Sequence, residues 1–332
     1  MTTATATVTA ARRHAEMLDR FIRTPVFGPL AALIVAFIVF ATIRPDTFLQ
    51  TGNVSLILQQ SVVVGVLALG QTMIILTAGI DLAVGAIAVF GTLVIARYVI
   101  DGGNALVALL LGAVLCTALG GVNGVLVTKL RLPPFIVTLG TLTVMVAVGQ
   151  LYAGSKSYPV TDRWLGWLGE GFGVGDAFVT YGTFLMLALY VIVWYALSQT
   201  AWGRHVYAVG NNAEAARLTG IKVNRTLLSV YLVAGFSYAL AAWEALGRIP
   251  NADPNAYQNA NLESITAVVI GGTSLFGGRG GVAGTLIGTL IVGVLRNGLT
   301  LAGIDNLYQN VATGILVILA VTVDQIARRR QR

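Results

Sequence analysis

The chain has 332 residues, 56% hydrophobic and 11% charged, with a formal net charge of +7. Soluble domains carry roughly 25% charged residues, so a water-soluble fold is excluded; recurring runs of about 20 apolar residues, each able to cross a hydrocarbon layer about 30 Å thick, identify a polytopic membrane protein. The basic residues sit at the ends of these runs rather than along one stripe, which excludes a nucleic-acid face, while the lone Cys116 with only His14 and His205 excludes an intramolecular disulfide and a thiolate metal cluster.

Residues 1–25 hold Arg12, Arg13, Glu16, Asp19, Arg20 and Arg23 without an apolar core, and read as a cytoplasmic tail rather than a cleavable leader. Ten candidate spans follow, at 26–43, 56–78, 82–100, 105–128, 134–152, 180–198, 227–247, 264–276, 282–301 and 308–326. Strand alternation is absent, and a lipid-exposed backbone must satisfy its own hydrogen bonds, so the expected class is all-α. Residues 26–327 form the membrane domain and 328–332 a basic tail. The eighth segment is short and runs into the glycine-rich stretch 271–281, so it either crosses or re-enters.

Charge sets the parity. With ten crossings and both termini in the cytoplasm, 15 of the 21 basic residues, among them Lys129, Arg131, Arg204, Arg217, Lys222, Arg225, Arg279 and Arg328, share the cytoplasmic side. That topology places segments 153–179 and 248–262 outside. Trp164 and Trp167 in the first fit either an interfacial helix or an aromatic belt; the second is polar and turn-rich. The 39 glycines, many inside spans, predict close helix packing. The glycine-broken elements 79–81 and 276–281 fall on one side, so no inverted repeat is expected from them.

Between the sixth and seventh spans lies the one long polar stretch, Gly203 to Ile221, predicted as two short helices hinged at Gly210-Asn211-Asn212. It is built to touch something in the cytoplasm. The chain has no Gly-x-x-x-x-Gly-Lys-[Ser/Thr] phosphate loop. Its spans also lack a mid-membrane ion relay, because Asp81 sits in a turn and Glu244 and Asp324 near span ends. Energy for transport therefore comes from another subunit. No nucleophile elbow, zinc motif or carboxylate pair points to an enzyme.

Asp81 opens a helix and either caps it or takes part in gating. Gln71, Asn123, Thr138, Thr141, Gln150 and Thr273 are the neutral polar candidates for a solute pathway, each alternatively a bond between helices.

Residues Ala208-Val-Gly-Asn-Asn-Ala-Glu-Ala-Ala-Arg-Leu-Thr-Gly-Ile221 resemble the cytoplasmic loop of the permease subunits of ATP-binding-cassette importers for ribose, galactose and fructose. Glu214, Ala215, Ala216 and Gly220 fit the Glu-Ala-Ala-x-x-x-Gly core of that loop. The stretches 70–85, 132–141, which includes Phe135, and 263–278, followed by Asn297-Gly-Leu299, are similar to the same family in the same order, over about residues 50–325. The Ile-x-Leu-Pro that extends the motif in other importer classes is missing.

The resemblance implies a homodimer with the solute pathway between the copies, an external sugar-binding protein, and a cytoplasmic ATPase that alone uses ATP, in a bacterial inner membrane. It assigns ATPase docking to Gly210, Asn211, Glu214, Ala215, Ala216, Arg217 and Gly220, and adds Phe135 to the pathway candidates Gln71, Asp81, Asn123, Thr138, Thr141 and Thr273. The solute it implies is a monosaccharide, and the asparagines of 248–262 favour fructose or ribose. The same scaffold with a nucleoside, a signalling furanone or a branched-chain amino acid, an ion-coupled carrier and a structural scaffold are the alternatives.

Overall fold

A computed structural model describes residues 26–329; the expectation for residues 1–25 and the end of the basic tail lie outside the described residues. In chain order the helices are α1 (Phe27–Ile43), the single turn α2 (Pro45–Phe48), α3 (Thr51–Leu76), α4 (Val84–Ile100), α5 (Ala105–Lys129), α6 (Pro134–Ala153), α7 (Arg163–Gly166), α8 (Tyr181–Gln199), α9 (Ala201–Asn211), α10 (Ala213–Leu218), α11 (Val223–Arg248), α12 (Ala260–Ile270), α13 (Val282–Leu301) and α14 (Asn306–Arg329). Among the described residues seven of them, α3, α5, α6, α8, α11, α13 and α14, are long and apolar enough to cross a membrane. The apolar helices α1, α4 and α12 are shorter.

Helix α3 ends where Ala78 turns left-handed, at φ +60°, while Ala78 N donates to Ile75 O at 2.9 Å and Gly79 N to Ile74 O at 3.0 Å. These bonds satisfy carbonyls that a helix end orphans. The chain then doubles back: with its amide turned to satisfy both partners, Gln71 donates to Asp81 O at 3.0 Å and accepts from Asp81 N at 3.3 Å. Only at Val84 does it become helical again, so α4 starts inside the bundle. Asp81 and Ala83 are fully buried, as an irregular backbone inside a membrane protein must be.

Helix α12 begins in the same way. After α11, Asn251–Ala252 pairs antiparallel with Tyr158–Pro159, and the chain re-enters through Pro254 and a left-handed Tyr257 at φ +53°. It becomes helical at Ala260, beside Gly85 near the start of α4: a Cβ on Gly85 would lie 3.2 Å from Ala260 Cβ and 3.3 Å from Tyr257 O. The α12 helix therefore covers 260–270 rather than the predicted 264–276. Gly271 and Gly272 end it, and the apolar Leu275 and Phe276 that extended the predicted span belong to the following loop.

The packing pairs repeat. Helix α3 lies on α13 and α12, α4 on α5 and α6, α11 on α5 and α4, and α12 on α13 and α14. Exchanging α3 with α11, α4 with α12, α5 with α13 and α6 with α14 maps each of these pairs onto another. The exchange inverts direction, since the break after α3 lies beside α9 and the break after α11 lies beside Tyr158. An inverted repeat is thus present, contrary to the sequence reading, because the element equivalent to 77–83 is 249–259 and not the glycine loop 276–281.

Helices α5 and α11 cross closely. A Cβ on Gly120 would lie 2.6 Å from Tyr231 O and 2.9 Å from Gly235 Cα, so the two backbones meet without side chains between them. At the far end Trp167 stacks on Tyr181 at 5.2 Å and on Trp243 at 6.1 Å, and Trp243 Nε1 donates to Trp164 O at 3.1 Å. The Trp167 ring is therefore packed onto the ends of α8 and α11, while the Trp164 side chain stays exposed.

Candidate functional site

The polar stretch between α8 and α11 folds as α9 and α10, with the hinge at Asn212 in extended backbone, φ −161°. Asn212 caps α10 by accepting from Ala215 N at 3.0 Å. Gly220 closes α10 at φ +87°, and Ile221 N donates to Ala216 O at 3.0 Å. Gly210 and Asn211 belong to α9, so of the expected hinge Gly210-Asn211-Asn212 the break falls at Asn212. Ala216 is buried against Val209 and Val223, which anchors α10 to the bundle and turns Asn211, Ala213, Glu214, Ala215 and Arg217 outward. The Arg217 guanidinium donates to Glu214 Oε2 at 3.1 Å, with the side chains 58% and 71% exposed; an exposed pair of this kind adds little to stability, which leaves both side chains available to a partner.

The inner face of α9 lies on the break after α3. A Cβ on Gly210 would collide with Leu76 O and lie 2.7 Å from Gly278 N. Gly278 N itself donates to Leu76 O at 2.9 Å, and a Cβ on Gly277 would sit 2.8 Å from both Ala78 N and Gly210 O. Three backbones therefore meet without side chains between them: the end of α3, the end of α9 and the loop 271–281. Tyr207 adds a fourth tie by donating to Gly280 O at 2.9 Å, and burial pushes its hydroxyl pKa up, so it stays a donor at neutral pH. From α14, Asp324 Oδ2 accepts from Ser274 Oγ at 3.1 Å and Leu275 N at 3.2 Å. Helix α9 thus touches both the end of α3 and the loop that leads into α13.

The pathway candidates fall into separate groups. Asp81 does not cap α4, whose N-cap is Ala83 without a side-chain bond; its Oδ1 accepts from Ala83 N at 2.8 Å within the turn, and Oδ2 accepts from Tyr238 Oη of α11 at 2.9 Å. Thr138 donates to Ile80 O at 2.9 Å. Gln71, Asp81 and Thr138 together hold the re-entrant turn. Thr141 donates to Asn123 Oδ1 at 2.6 Å, joining α6 to α5; Thr273 Oγ1 accepts from Gly281 N at 3.2 Å and closes the glycine loop; Phe135 stands apart, 46% exposed on α6. Asp81→Ala is expected to leave Tyr238 Oη and Ala83 N without partners, at roughly 1–3 kcal/mol for each buried group. In thermal denaturation of the detergent-purified protein, Asp81→Ala and Tyr238→Phe should each lower the transition, and the double variant should cost less than the two together. Strict additivity would contradict the bond.

A cavity of about 240 Å³ opens between the start of α4, the C-terminal half of α6 and the stretch 254–261 that leads into α12. Its polar lining includes Gln150, Asn255, Gln258 and Asn261. Gln150 was a sequence candidate; the other three lie in the segment read as an external loop. Hydropathy cannot separate residues that face bulk water from residues that face water within a membrane protein.

Residues 53–321 match the family described as branched-chain amino acid transport system / permease component. The chain belongs to the permease family of ATP-binding-cassette importers. Across 325 residues it is 43% identical to the fructose import permease protein FrcC of Rhizobium meliloti, covering 95% of this chain and 89% of that one. It is 38% identical to the ribose import permease protein RbsC of Bacillus subtilis, over 90% and 92% of the two chains. To the galactose/methyl galactoside import permease protein MglC of Escherichia coli it is 31% identical, over 92% and 96%. No solved structure matches the chain. As a permease subunit it is a multi-pass membrane protein and not itself an enzyme.

Proposed function

We propose that this permease is the membrane-spanning subunit of an ATP-driven monosaccharide importer of the bacterial inner membrane. It works as a homodimer with the solute pathway between the copies, and an external binding protein delivers the sugar to the end carrying 153–180. Ten segments cross, α4 and α12 each being completed by its re-entrant stretch. At about 1.5 Å per residue, the 11 residues of α12 cover only half of a 30 Å layer, and residues 249–259 supply the rest. Both termini lie in the cytoplasm. In support, Val26 lines a cavity with Tyr207 and Gly280, and Asp324 bonds Ser274, so both ends of the described chain sit on the α9 side.

The observation that carries the reading is the glycine contact of Gly210 with Leu76 and Gly278. A cytoplasmic ATPase seats the end of α9 and α10 through Asn211, Glu214, Ala215 and Arg217, with Ala216 and Gly220 fixing α10. When the ATPase closes on ATP, α9 moves the end of α3 and the 271–281 loop, and the two discontinuous halves swing the pathway between outward and inward access. The sugar specificity of the relatives supports a fructose- or ribose-like solute. The description of the matched family favours one second reading, a branched-chain amino acid.

Uptake of labelled fructose, ribose, galactose and leucine by cells with and without the chain tests both. Loss of one sugar's uptake that follows ATP depletion and survives collapse of the proton gradient is the expected result. Uptake that disappears with the gradient would move the chain to the ion-coupled carriers, and loss of leucine uptake alone would establish the second reading.

A further inference from the structure

The cavity between α4, α6 and the start of α12 has a chemistry that the coupling site does not explain. Gln150 Nε2 donates to Asn255 Oδ1 at 2.7 Å, and Gln258 Nε2 reaches the same oxygen at 3.5 Å. Asn261 Oδ1 accepts from Leu262 N at 2.9 Å. Among the described residues the opposite ends of these amides have no hydrogen-bond partner: the Oε1 acceptors of Gln150 and Gln258 and the Nδ2 donors of Asn255 and Asn261. No lysine, arginine, histidine, aspartate or glutamate lines the space. Its other walls are the apolar Val89, Leu142 and Met145 and the phenol-bearing Tyr257.

Asn255 and Gln258 are exposed and Gln150 and Asn261 half-buried, so the unbonded ends of these amides are open to water or to a solute that enters the space. Two acceptors and two donors with no net charge match a ligand whose groups both donate and accept, which is what hydroxyls do. A zwitterion or a phosphate would enter with charges that nothing here pairs. The cavity holds the volume of roughly eight waters at about 30 Å³ each, the scale of a single sugar ring, and Leu142, Met145 and Tyr257 offer apolar surface to its C–H face. Tyr257 holds its place at a left-handed φ that a bulky residue rarely adopts, which is local strain of the kind found beside ligands.

We infer that this cavity is a solute-binding site within the permease, selective for an uncharged polyhydroxylated ring, with Gln150 and Asn255 reading its hydroxyls. The inference rests on the importer reading and adds to it a site of discrimination inside the membrane subunit. Because the amides come from α6 and from the segment that starts α12, relative motion of the two re-shapes the site and releases the solute. Neutral hydrogen bonds are weak enough to break on each cycle.

The test uses the assembled transporter in cells and measures uptake of a labelled pentose and a labelled hexose offered together, with leucine as the charged comparison. Membrane levels and co-purification of the ATPase are checked for each variant. Gln150→Leu and Asn255→Leu should each lower uptake of the transported sugar roughly tenfold, the equivalent of one lost hydrogen bond, and change the pentose to hexose ratio. Ala86→Leu, which narrows the cavity and leaves its amides in place, should reduce hexose more than pentose. Val144→Leu, on α6 outside the cavity, should behave as wild type. Wild-type uptake by the amide variants, or a uniform loss with the ratio unchanged in all three, overturns the site while leaving the importer reading intact; should an amide variant fail to reach the membrane, Ala86→Leu decides. ATP-dependent uptake of leucine and no sugar by the wild type overturns both.

Discussion

Replacing Gly210 with valine is expected to abolish transport while the protein still inserts. The Cβ of any other residue would collide with Leu76 O and approach Gly278 N, and neither atom belongs to a flexible side chain that can move aside. Overpacking in ordinary cores costs roughly 1–3 kcal/mol, and a backbone carbonyl yields less readily than a side chain. Helix α9 must then tilt away from α3. The tilt would break the hydrogen bond from Gly278 N to Leu76 O and strain the one from Tyr207 to Gly280 O. Gly210→Ala should show the same defect in smaller measure, with uptake lowered roughly tenfold, the equivalent of about 1.4 kcal/mol. The distinguishing readout is the ATPase, which should still co-purify because α10 and its exposed face are untouched. A Gly210→Val variant with normal uptake would mean that α9 does not bear on α3 during transport.

Glu214→Arg should produce the complementary failure. Glu214 lies on the outer face of α10, and among the described residues its partner is Arg217 three residues on. Its loss costs the fold little, so membrane level and thermal stability should match wild type. A partner surface that accommodates a carboxylate meets a cation instead, and like-charge contacts at an interface cost several kcal/mol. Co-purification of the ATPase should drop and uptake should fall to background. The exchange variant Glu214→Arg with Arg217→Glu restores the pair within the loop. If the ATPase reads Glu214 in its own position, this variant stays inactive; recovery would assign the residue to the loop's internal stability instead.

Some of this architecture is legible in the residues and some is not, for physical reasons. The segment 203–221 stands out because a polar, charged stretch between two apolar spans must face water, and its Glu-Ala-Ala core is specific. Gly79-Ile-Asp81 announces a helix break because glycine and aspartate both disfavour continuation of α3, although Asp81 bonds within the turn and does not cap α4. The matching break at 249–259 uses Pro254, asparagines and a left-handed Tyr257, so a search for repeated glycines pairs the wrong elements. Its polar residues resemble an external loop because composition records contact with water and not depth in the membrane. For the same reason α12 was placed four residues late, with Leu275 and Phe276 mistaken for membrane-facing positions. Gly210 reads in the sequence as a hinge and a docking residue; that it is small so that two backbones can touch requires knowing what lies opposite.

The most direct measurement is solute accumulation by proteoliposomes containing the permease, its ATPase and its binding protein, with ATP in the compartment that faces α10 and no ion gradient. The account predicts accumulation of one monosaccharide that stops when ATP is withheld, and that fails with Gly210→Val although the ATPase remains bound. Accumulation without ATP, or accumulation that persists with Gly210→Val, would contradict it.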